Sequence, residues 1–374
     1  MEKAFVYGKA VEGVNFTDRE KERHRLKMNF ENGINVTLIS PRRMGKTSLV
    51  KKVISEIENP RIKCVYMDIY DCRTEYEFLN RFAEVIMASL ASKMEHLMEN
   101  IKKFLGRLNP TFTIGADPSS DFSFSLGISP KNYNPQEILN LPEVIAQEKG
   151  VHIVVCIDEF QQIGEFKESL SVQKRLRGVW QHQQNVSYCL FGSKRHLMEK
   201  IFQSSRMPFY MFGEMMRLEC IPTDYWVPFI RERFGKYGKE ISEEMAAEIC
   251  AEVSNYSSYV QQLAWNVMMQ AGEIVTWKNI EDGMTALVEQ TDALFVQQTE
   301  DLTDYQMNFL RVLGNGATRN IYRAAQETGL SLGTRSNLDR LKSSLLEREL
   351  IRRDADGVRF ADPLFERWFR HNFR

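Results

Sequence analysis

Through its first 220 residues the chain alternates short apolar runs with segments of helical spacing. Four runs have the near-continuous apolar composition of strands that are covered on both faces: Val36–Ile39, Lys63–Tyr70, Val151–Ile157 and Val186–Gly192. Between them, apolar residues recur at helical intervals, as in Lys46–Val53 and Pro135–Glu148. This alternation predicts an α/β fold with a doubly wound, mostly parallel sheet.

Other patterns divide the rest of the chain. Residues 110–128 alternate polar and apolar positions around an Ala-Asp-Pro-Ser-Ser turn, which predicts a hairpin inserted into the first domain. Residues 221–300 keep helical spacing and predict a small helical lid. Residues 301–374 contain three helical segments and two short strands around Ala-Asp-Gly, the order of a winged helix-turn-helix domain. The predicted domains are therefore 1–220, 221–300 and 301–374.

Composition and charge place few limits on function. The chain has 49 Lys and Arg against 50 Asp and Glu, so its net charge of −1 provides no general attraction to nucleic acid or membrane. The first residues contain no apolar stretch of signal-peptide length, and no apolar run approaches the length of a membrane span. We therefore expect a cytoplasmic protein without a membrane partner.

The first apolar run leads into a candidate phosphate loop. Its nine residues are Ser40, Pro41, Arg42, Arg43, Met44, Gly45, Lys46, Thr47 and Ser48. They match the pattern G-x-x-x-x-G-K-[ST] except at the first glycine, where this chain has Ser40. In such a loop, backbone N–H groups and the helix N-terminus bind the phosphates. The pattern predicts a nucleotide site in which Lys46 reaches the β- and γ-phosphates and Thr47 binds Mg²⁺.

Two adjacent acids end the third apolar run. Asp158 and Glu159 follow Val151–Ile157, at the carboxyl end of a predicted strand, where ligands bind in open parallel sheets. Acids at the end of a buried strand are costly unless they bind a cation or take part in a reaction. We expect Asp158 to bind Mg²⁺, directly or through water, and Glu159 to deprotonate the water that attacks the γ-phosphate.

Two further residues are candidates for the same reaction. Ser193 follows the fourth apolar run, so its hydroxyl is expected beside the γ-phosphate, unless Gly192 and Ser193 only begin a turn. Arg206 is on a later loop, from which it could stabilise transition-state charge in its own subunit or in a neighbouring one. Arginine is also common on exposed loops, so the sequence leaves the role of Arg206 open.

The C-terminal region is mildly basic. From Thr303 onward it contains 13 Lys and Arg against 9 Asp and Glu. Helical spacing leaves Arg335, Asn337 and Arg340 on the outer face of the third helix, which reads DNA in helix-turn-helix proteins. Many winged helices instead mediate protein contacts, so DNA and protein are both candidate partners.

Five motifs occur in one order along the chain: Ser-Pro-Arg-Arg-Met-Gly-Lys-Thr-Ser, Ile-Asp-Glu-Phe, Phe-Gly-Ser, Tyr-Val-Gln-Gln-Leu-Ala and Phe-Ala-Asp-Pro-Leu-Phe-Glu-Arg-Trp-Phe. With them, nearly the whole chain resembles the archaeal-type ATPases of the AAA+/STAND group of P-loop NTPases, a family also found in bacteria. The resemblance implies an ASCE-type nucleotide fold, a helical lid, a C-terminal winged helix and ATP as the nucleotide. It places Lys46 and Thr47 in the phosphate loop and makes Asp158 and Glu159 the magnesium and water-activating acids.

Two functions are consistent with these features. In the first, the chain is a slow Mg²⁺-dependent ATPase whose nucleotide sets the angle between core, lid and winged helix. In the second, it is a nucleotide-gated DNA-binding or scaffold protein with little ATP turnover. Self-association is possible in both, because Arg206 could act in a neighbouring subunit.

Overall fold

The candidate site residues lie on or beside the strands of one sheet. The structure is a computed structural model, and it describes residues 3–11, 13–90, 111–112, 126–127, 134–354 and 357–373. Within these residues the strands are β1 (Val36–Ile39), β2 (Ile62–Asp68), β3 (Thr111–Phe112), β4 (Leu126–Gly127), β5 (His152–Asp158), β6 (Val186–Gly192), β7 (Glu214–Arg217), β8 (Ile351–Asp354) and β9 (Gly357–Phe360).

Helices account for most of the remaining described residues. The first six are α1 (Glu20–Glu31), α2 (Lys46–Ser55), α3 (Glu75–Leu90), α4 (Pro135–Lys149), α5 (Ser169–Trp180) and α6 (Arg195–Gln203). The later ones are α7 (Thr223–Lys236), α8 (Glu243–Glu252), α9 (Ser257–Gln270), α10 (Trp277–Glu289), α11 (Asp292–Glu300), α12 (Asp304–Gly314), α13 (Ile321–Glu327), α14 (Asn337–Glu347) and α15 (Pro363–Asn372). Short 3₁₀ helices occur at Gly13–Asn15 and Phe160–Glu165.

The main sheet has the strand order β2-β5-β6-β1-β7, and every neighbouring pair is parallel. Strands β1, β5 and β6 are buried along almost their whole length, as expected when both faces of a sheet are covered. Helices α3, α4 and α5 pack together, and α1 packs on α2. The predicted α/β fold with a mostly parallel sheet is confirmed, and all carboxyl ends of its strands meet at one edge.

An aromatic cluster anchors the segment that follows β5. Trp180 stacks on Tyr188 with ring centroids 4.0 Å apart. The ring of Phe160 packs 5.3 Å from that of Phe209 and 6.3 Å from that of Trp180, and it is fully buried. Because Phe160 comes directly after Glu159, this packing holds the backbone at the strand end in place.

Contacts within the chain divide it into two compact units. The first consists of Arg19–Arg42 and Lys46–Glu219 and contains the parallel sheet. The second consists of the chain up to Asp18, Arg43–Gly45, and the chain from Cys220 onward. The division into a core, a lid and a winged helix at residues 220 and 300 stays a prediction.

The second unit contains the helices and strands on which the winged-helix prediction rests. Helices α12, α13 and α14 are followed by the antiparallel pair β8–β9, in which Ile351 pairs with Phe360. Leu341 and Leu345 of α14 are buried, whereas Arg340 on the same helix is exposed. The helical spacing therefore assigned these side chains to the correct faces.

Two sequence predictions concern segments that are only partly described. The ends of the predicted 110–128 hairpin are β3 and β4, where Thr111 pairs with Gly127 and Phe112 with Leu126 in antiparallel register. The turn between them lies outside the described residues. Among the residues that the structure describes, no helix combines the length and the apolar character needed to cross a membrane.

One buried carboxylate joins α4 to the start of β6. Glu143 accepts hydrogen bonds from the backbone N–H of Asn185 (2.9 Å), from the Asn185 side-chain amide (2.8 Å) and from Gln147 (2.8 Å). Burial alone would raise the pKa of Glu143, but these donors outweigh it and hold the pKa below its usual value. Ionised Glu143 is therefore expected to stabilise the folded state.

We expect Glu143→Gln to lower the free energy of unfolding by about 1–3 kcal/mol at pH 7, because the neutral amide leaves a buried donor without its acceptor. Since the folded-state pKa is lowered, the contribution of Glu143 is complete above the usual carboxyl pKa and is lost as the pH falls through the folded-state value. The difference between variant and wild type should thus shrink in acid. Urea unfolding at pH 7 and pH 3.5 measures it.

The matched control is Glu148→Gln, which changes an exposed glutamate on the same helix. Its unfolding free energy should stay within about 0.5 kcal/mol of wild type at both pH values. An equal loss for Glu143→Gln at pH 7 and pH 3.5 would contradict the assigned role of the charge.

Candidate functional site

The loop after β1 has the backbone form that a phosphate loop requires. Arg43 and Gly45 have φ values of 65° and 83°, so the chain turns twice through the left-handed region before α2 begins at Lys46. A Cβ at Gly45 would meet no atom within 4 Å, so this glycine is needed for its backbone conformation and not for space. The left-handed φ of Gly45 thus explains why the motif has a glycine at this position.

Lys46 folds back over its own loop. Its side chain is 6% exposed, and Nζ donates to the carbonyl oxygens of Ser40 (3.0 Å) and Pro41 (2.8 Å) and to Ser40 Oγ (3.2 Å). The Ser40 hydroxyl in turn donates to the Pro41 carbonyl at 3.1 Å. The residue that replaces the first glycine of the motif therefore adds an oxygen that binds the lysine.

The loop and the acidic strand end meet directly. Thr47 Oγ1, at the start of α2, donates to Asp158 Oδ2 at 2.7 Å. The same oxygen accepts from the Tyr66 hydroxyl of β2 at 3.0 Å, and Oδ1 accepts from the Glu159 N–H at 2.9 Å. Two segments 111 residues apart in sequence thus place a hydroxyl and a carboxylate together, which are the oxygen ligands that Mg²⁺ takes.

Asp158 is 4% exposed, and its ionisation depends on these donors. Burial raises the pKa of Asp158 above its usual value, while the hydrogen bonds from Thr47 and Tyr66 act in the opposite direction. Burial and the nearby Asp158 charge also raise the pKa of Tyr66, so its hydroxyl remains a donor. Tyr66 was missed in the sequence, because only the pairing of β2 with β5 brings it next to Asp158.

Glu159 is held beside Asp158 in an unusual backbone conformation. Its φ is 55°, in the left-handed region that is uncommon for residues other than glycine and is found at functional sites. Its Oε2 accepts hydrogen bonds from Ser193 Oγ at 2.9 Å and from the side-chain amide of Gln161. Ser193 therefore lies next to Glu159. It directly follows β6, at the strand end where the sequence pattern had placed it.

The side chains of two loop residues, Arg43 and Met44, make their contacts outside the loop. Met44 is buried in the hydrophobic core of the second unit. Arg43 Nη1 donates to the Tyr259 hydroxyl and to Asp362 Oδ2 (2.7 Å), and its guanidinium lies 4.7 Å from the Tyr259 ring centroid. Only backbone atoms of Arg43 and Met44 are thus oriented for a role in the loop.

Arg42 and Arg206 are both exposed, and Arg206 lies in the turn after α6. In the part of the chain that the structure describes, no hydrogen bond joins Arg206 to Asp158 or Glu159. The structure brings Lys46, Thr47, Asp158, Glu159 and Ser193 to one edge of the sheet.

A parallel sheet that carries a Gly-Lys-Thr loop against paired acids defines the class of P-loop NTPases. The chain belongs to the family of ATPase domains found predominantly in Archaea, whose sequence profile matches residues 16–220. The family expected from the sequence motifs is thereby confirmed. No curated protein is a significant match to the sequence.

Solved structures share the fold at low sequence identity. The Walker-type ATPase PABY2304 of Pyrococcus abyssi superposes with a TM-score of 0.71 at 16% identity, over 98% of this chain and 100% of that one. The ORC2 protein of Aeropyrum pernix gives 0.58 in its ADPNP–ADP complexes, at 12% identity over 98% and 95% of the two chains. Its ADP form gives 0.57 at 12% identity over 96% and 97%. These similarities extend the shared fold beyond the family domain.

Proposed function

We propose that this protein binds Mg–ATP in the loop Ser40–Ser48, hydrolyses it slowly, and uses the bound nucleotide as a conformational switch. The observation that carries the proposal is the 2.7 Å hydrogen bond between Thr47 and Asp158, with Glu159 beside it. The fold match to an ORC2 protein described in ADPNP–ADP complexes supports a nucleotide as the ligand.

Binding would use the loop and the first turn of α2. Backbone N–H groups of the loop and the helix N-terminus would bind the phosphates, and Lys46 would exchange the Ser40 and Pro41 carbonyls for phosphate oxygens. Thr47 and Asp158 would hold Mg²⁺, since both offer oxygen ligands at one point. The metal would neutralise the charge on the β- and γ-phosphates.

Hydrolysis would use Glu159 as the base. Its Oε2 accepts a hydrogen bond from Ser193, which leaves the other oxygen, Oε1, for the attacking water. Ser193 would lie close to the γ-phosphate and respond to its loss. Arg206, exposed in the turn after α6, would serve a site in a second copy of the chain.

The switch would begin at Arg43. Its backbone belongs to the phosphate loop, and its side chain binds Tyr259 of α9 and Asp362, which caps α15 through the N–H groups of Leu364 and Phe365. A change of loop conformation on nucleotide binding or release would therefore alter contacts made by α9 and by the start of α15.

We expect Glu159→Gln to reduce kcat for ATP hydrolysis by at least about 100-fold and to leave nucleotide affinity within about three-fold, because only the base is lost. Lys46→Ala should weaken nucleotide binding itself. Phosphate release and the binding of a fluorescent ATP analogue measure the two effects.

Lys52→Ala and Glu168→Gln are the matched controls. Lys52 lies six residues after Lys46 on α2 and pairs with Glu56, and Glu168 is an exposed glutamate beyond the 3₁₀ helix. Both should turn over ATP at the wild-type rate. Equal turnover in wild type, Glu159→Gln and Lys46→Ala would reject the proposed site.

Tyr66→Phe tests the metal site. Asp158 would lose one of the donors that orient it, so the Mg²⁺ concentration for half-maximal nucleotide binding should rise about ten-fold. A Mg²⁺ titration at fixed nucleotide concentration measures this, with Tyr70→Phe as the control because Tyr70 is 66% exposed. Unchanged Mg²⁺ dependence in Tyr66→Phe would show that its hydroxyl does not support the metal ligand.

A second function, nucleotide-gated binding of DNA, is favoured by one observation. Helices α12–α14 and the β8–β9 pair have the order of a winged helix, and Arg335, Arg340 and Arg353 are exposed on that region. Such a surface would bind the phosphates of DNA, and a protein scaffold role is its alternative.

The double variant Arg335→Ala/Arg340→Ala should weaken DNA binding several-fold at low salt and reduce the slope of affinity against salt concentration by about two. Fluorescence anisotropy with a duplex at several salt concentrations measures both. Arg323→Ala is the control, since that exposed arginine is paired with Glu327. If wild type binds no duplex even at low salt, the DNA-binding proposal is rejected.

A further inference from the structure

A buried glutamine next to the acid pair has no role in the site described so far. Gln161 lies on the 3₁₀ helix Phe160–Glu165 and is 1% exposed. Its Nε2 donates to Glu159 Oε2, the same oxygen that accepts from Ser193 Oγ. One oxygen of the expected base is thus held by two donors from different segments.

The orientation of the Gln161 amide follows from this contact. A carboxylate only accepts hydrogen bonds, so the amide nitrogen must face Glu159 and the amide oxygen must face away. That oxygen, Oε1, is buried and has no hydrogen-bond partner in the described part of the chain. A buried amide oxygen without a hydrogen-bond partner lowers the stability of a fold, and native structures seldom retain one.

Gly192 makes room for this orientation. A Cβ at Gly192 would overlap Gln161 Oε1 and lie only 2.9 Å from Gln161 Cδ. Gly192 has no left-handed φ, so here glycine is required by the neighbouring amide and not by the backbone. The end of β6 therefore supplies both the Ser193 hydroxyl and the space for Gln161.

We propose that Gln161 is a positioning residue for Glu159 and that Gly192 is needed for it to act. The inference rests on the proposed role of Glu159 as the base. Phe160 anchors the backbone in the aromatic cluster, and Gln161 and Ser193 fix the carboxylate through Oε2, so Oε1 faces the attacking water in one orientation. Gln161 itself does not contact the reacting atoms.

Gln161→Met keeps the side-chain length and removes the donor. We expect kcat to fall between about 10-fold and 100-fold, the size of effect that a misplaced reacting group produces, with nucleotide affinity unchanged within about two-fold. Gln162→Met, at the neighbouring half-buried position, is the control and should keep wild-type turnover. In a Glu159→Gln background, Gln161→Met should cause no further loss, which separates positioning from a general structural defect.

Gly192→Ala tests the geometry independently of turnover. It should lower the Tm by a few degrees in wild type, because the methyl group collides with the Gln161 amide. In a Gln161→Ala background the collision is removed, so Gly192→Ala should have little effect on the Tm. Equal Tm losses in both backgrounds would overturn the assigned packing.

The outcomes also separate this inference from the proposed function. Wild-type turnover in Gln161→Met, together with loss of turnover in Glu159→Gln, would reject the positioning role and leave the ATPase proposal standing. Absence of turnover in wild type would reject both. A loss in Gln161→Met that persists in the Glu159→Gln background would show that Gln161 acts by another route.

Discussion

The rest of the site depends on the buried carboxylate of Asp158. Its burial opposes ionisation and raises its pKa, and donors from Thr47, Tyr66 and the Glu159 backbone offset part of this effect. Those donors come from α2, from β2 and from the strand end itself, so ionised Asp158 requires all three segments to be in place. The arrangement that would bind a metal is therefore also an arrangement that holds the sheet edge together.

The loop shows how a departure from a motif is accommodated. Ser40 replaces a glycine, yet its φ is not left-handed, and its hydroxyl and carbonyl both bind Lys46. Gly45 and Arg43, by contrast, do adopt left-handed φ values. The left-handed backbone conformation is thus required at Arg43 and Gly45, and the glycine of the motif is retained at the second of these positions. Arg43 adopts this conformation while its side chain binds Tyr259 and Asp362.

The sequence predicted the features that neighbouring residues encode and missed those that depend on residues far apart in the chain. Strands β1, β2, β5 and β6, the phosphate loop and the acid pair were predicted, because apolar runs and contiguous motifs indicate them directly. The short strand β7 at the edge of the sheet was not predicted. Tyr66 could not be found, since its contact with Asp158 depends on strand order. Gln161 directly follows the Ile-Asp-Glu-Phe motif, but the room for its amide depends on Gly192, 31 positions later. The side chain of Arg43 binds partners 216 and 319 residues away.

Strand β6 lies between β1 and β5, and this order limits how far sequence changes can alter the site. Neighbouring strands lie about 4.8 Å apart, so the strand before Lys46 and the strand before Glu159 are separated by roughly 10 Å. That gap is fixed by main-chain ladders, which every amino acid except proline can form. Side chains throughout the sheet can therefore be exchanged while the spacing between these two strands stays the same, so chains that agree at about one position in six can share one fold.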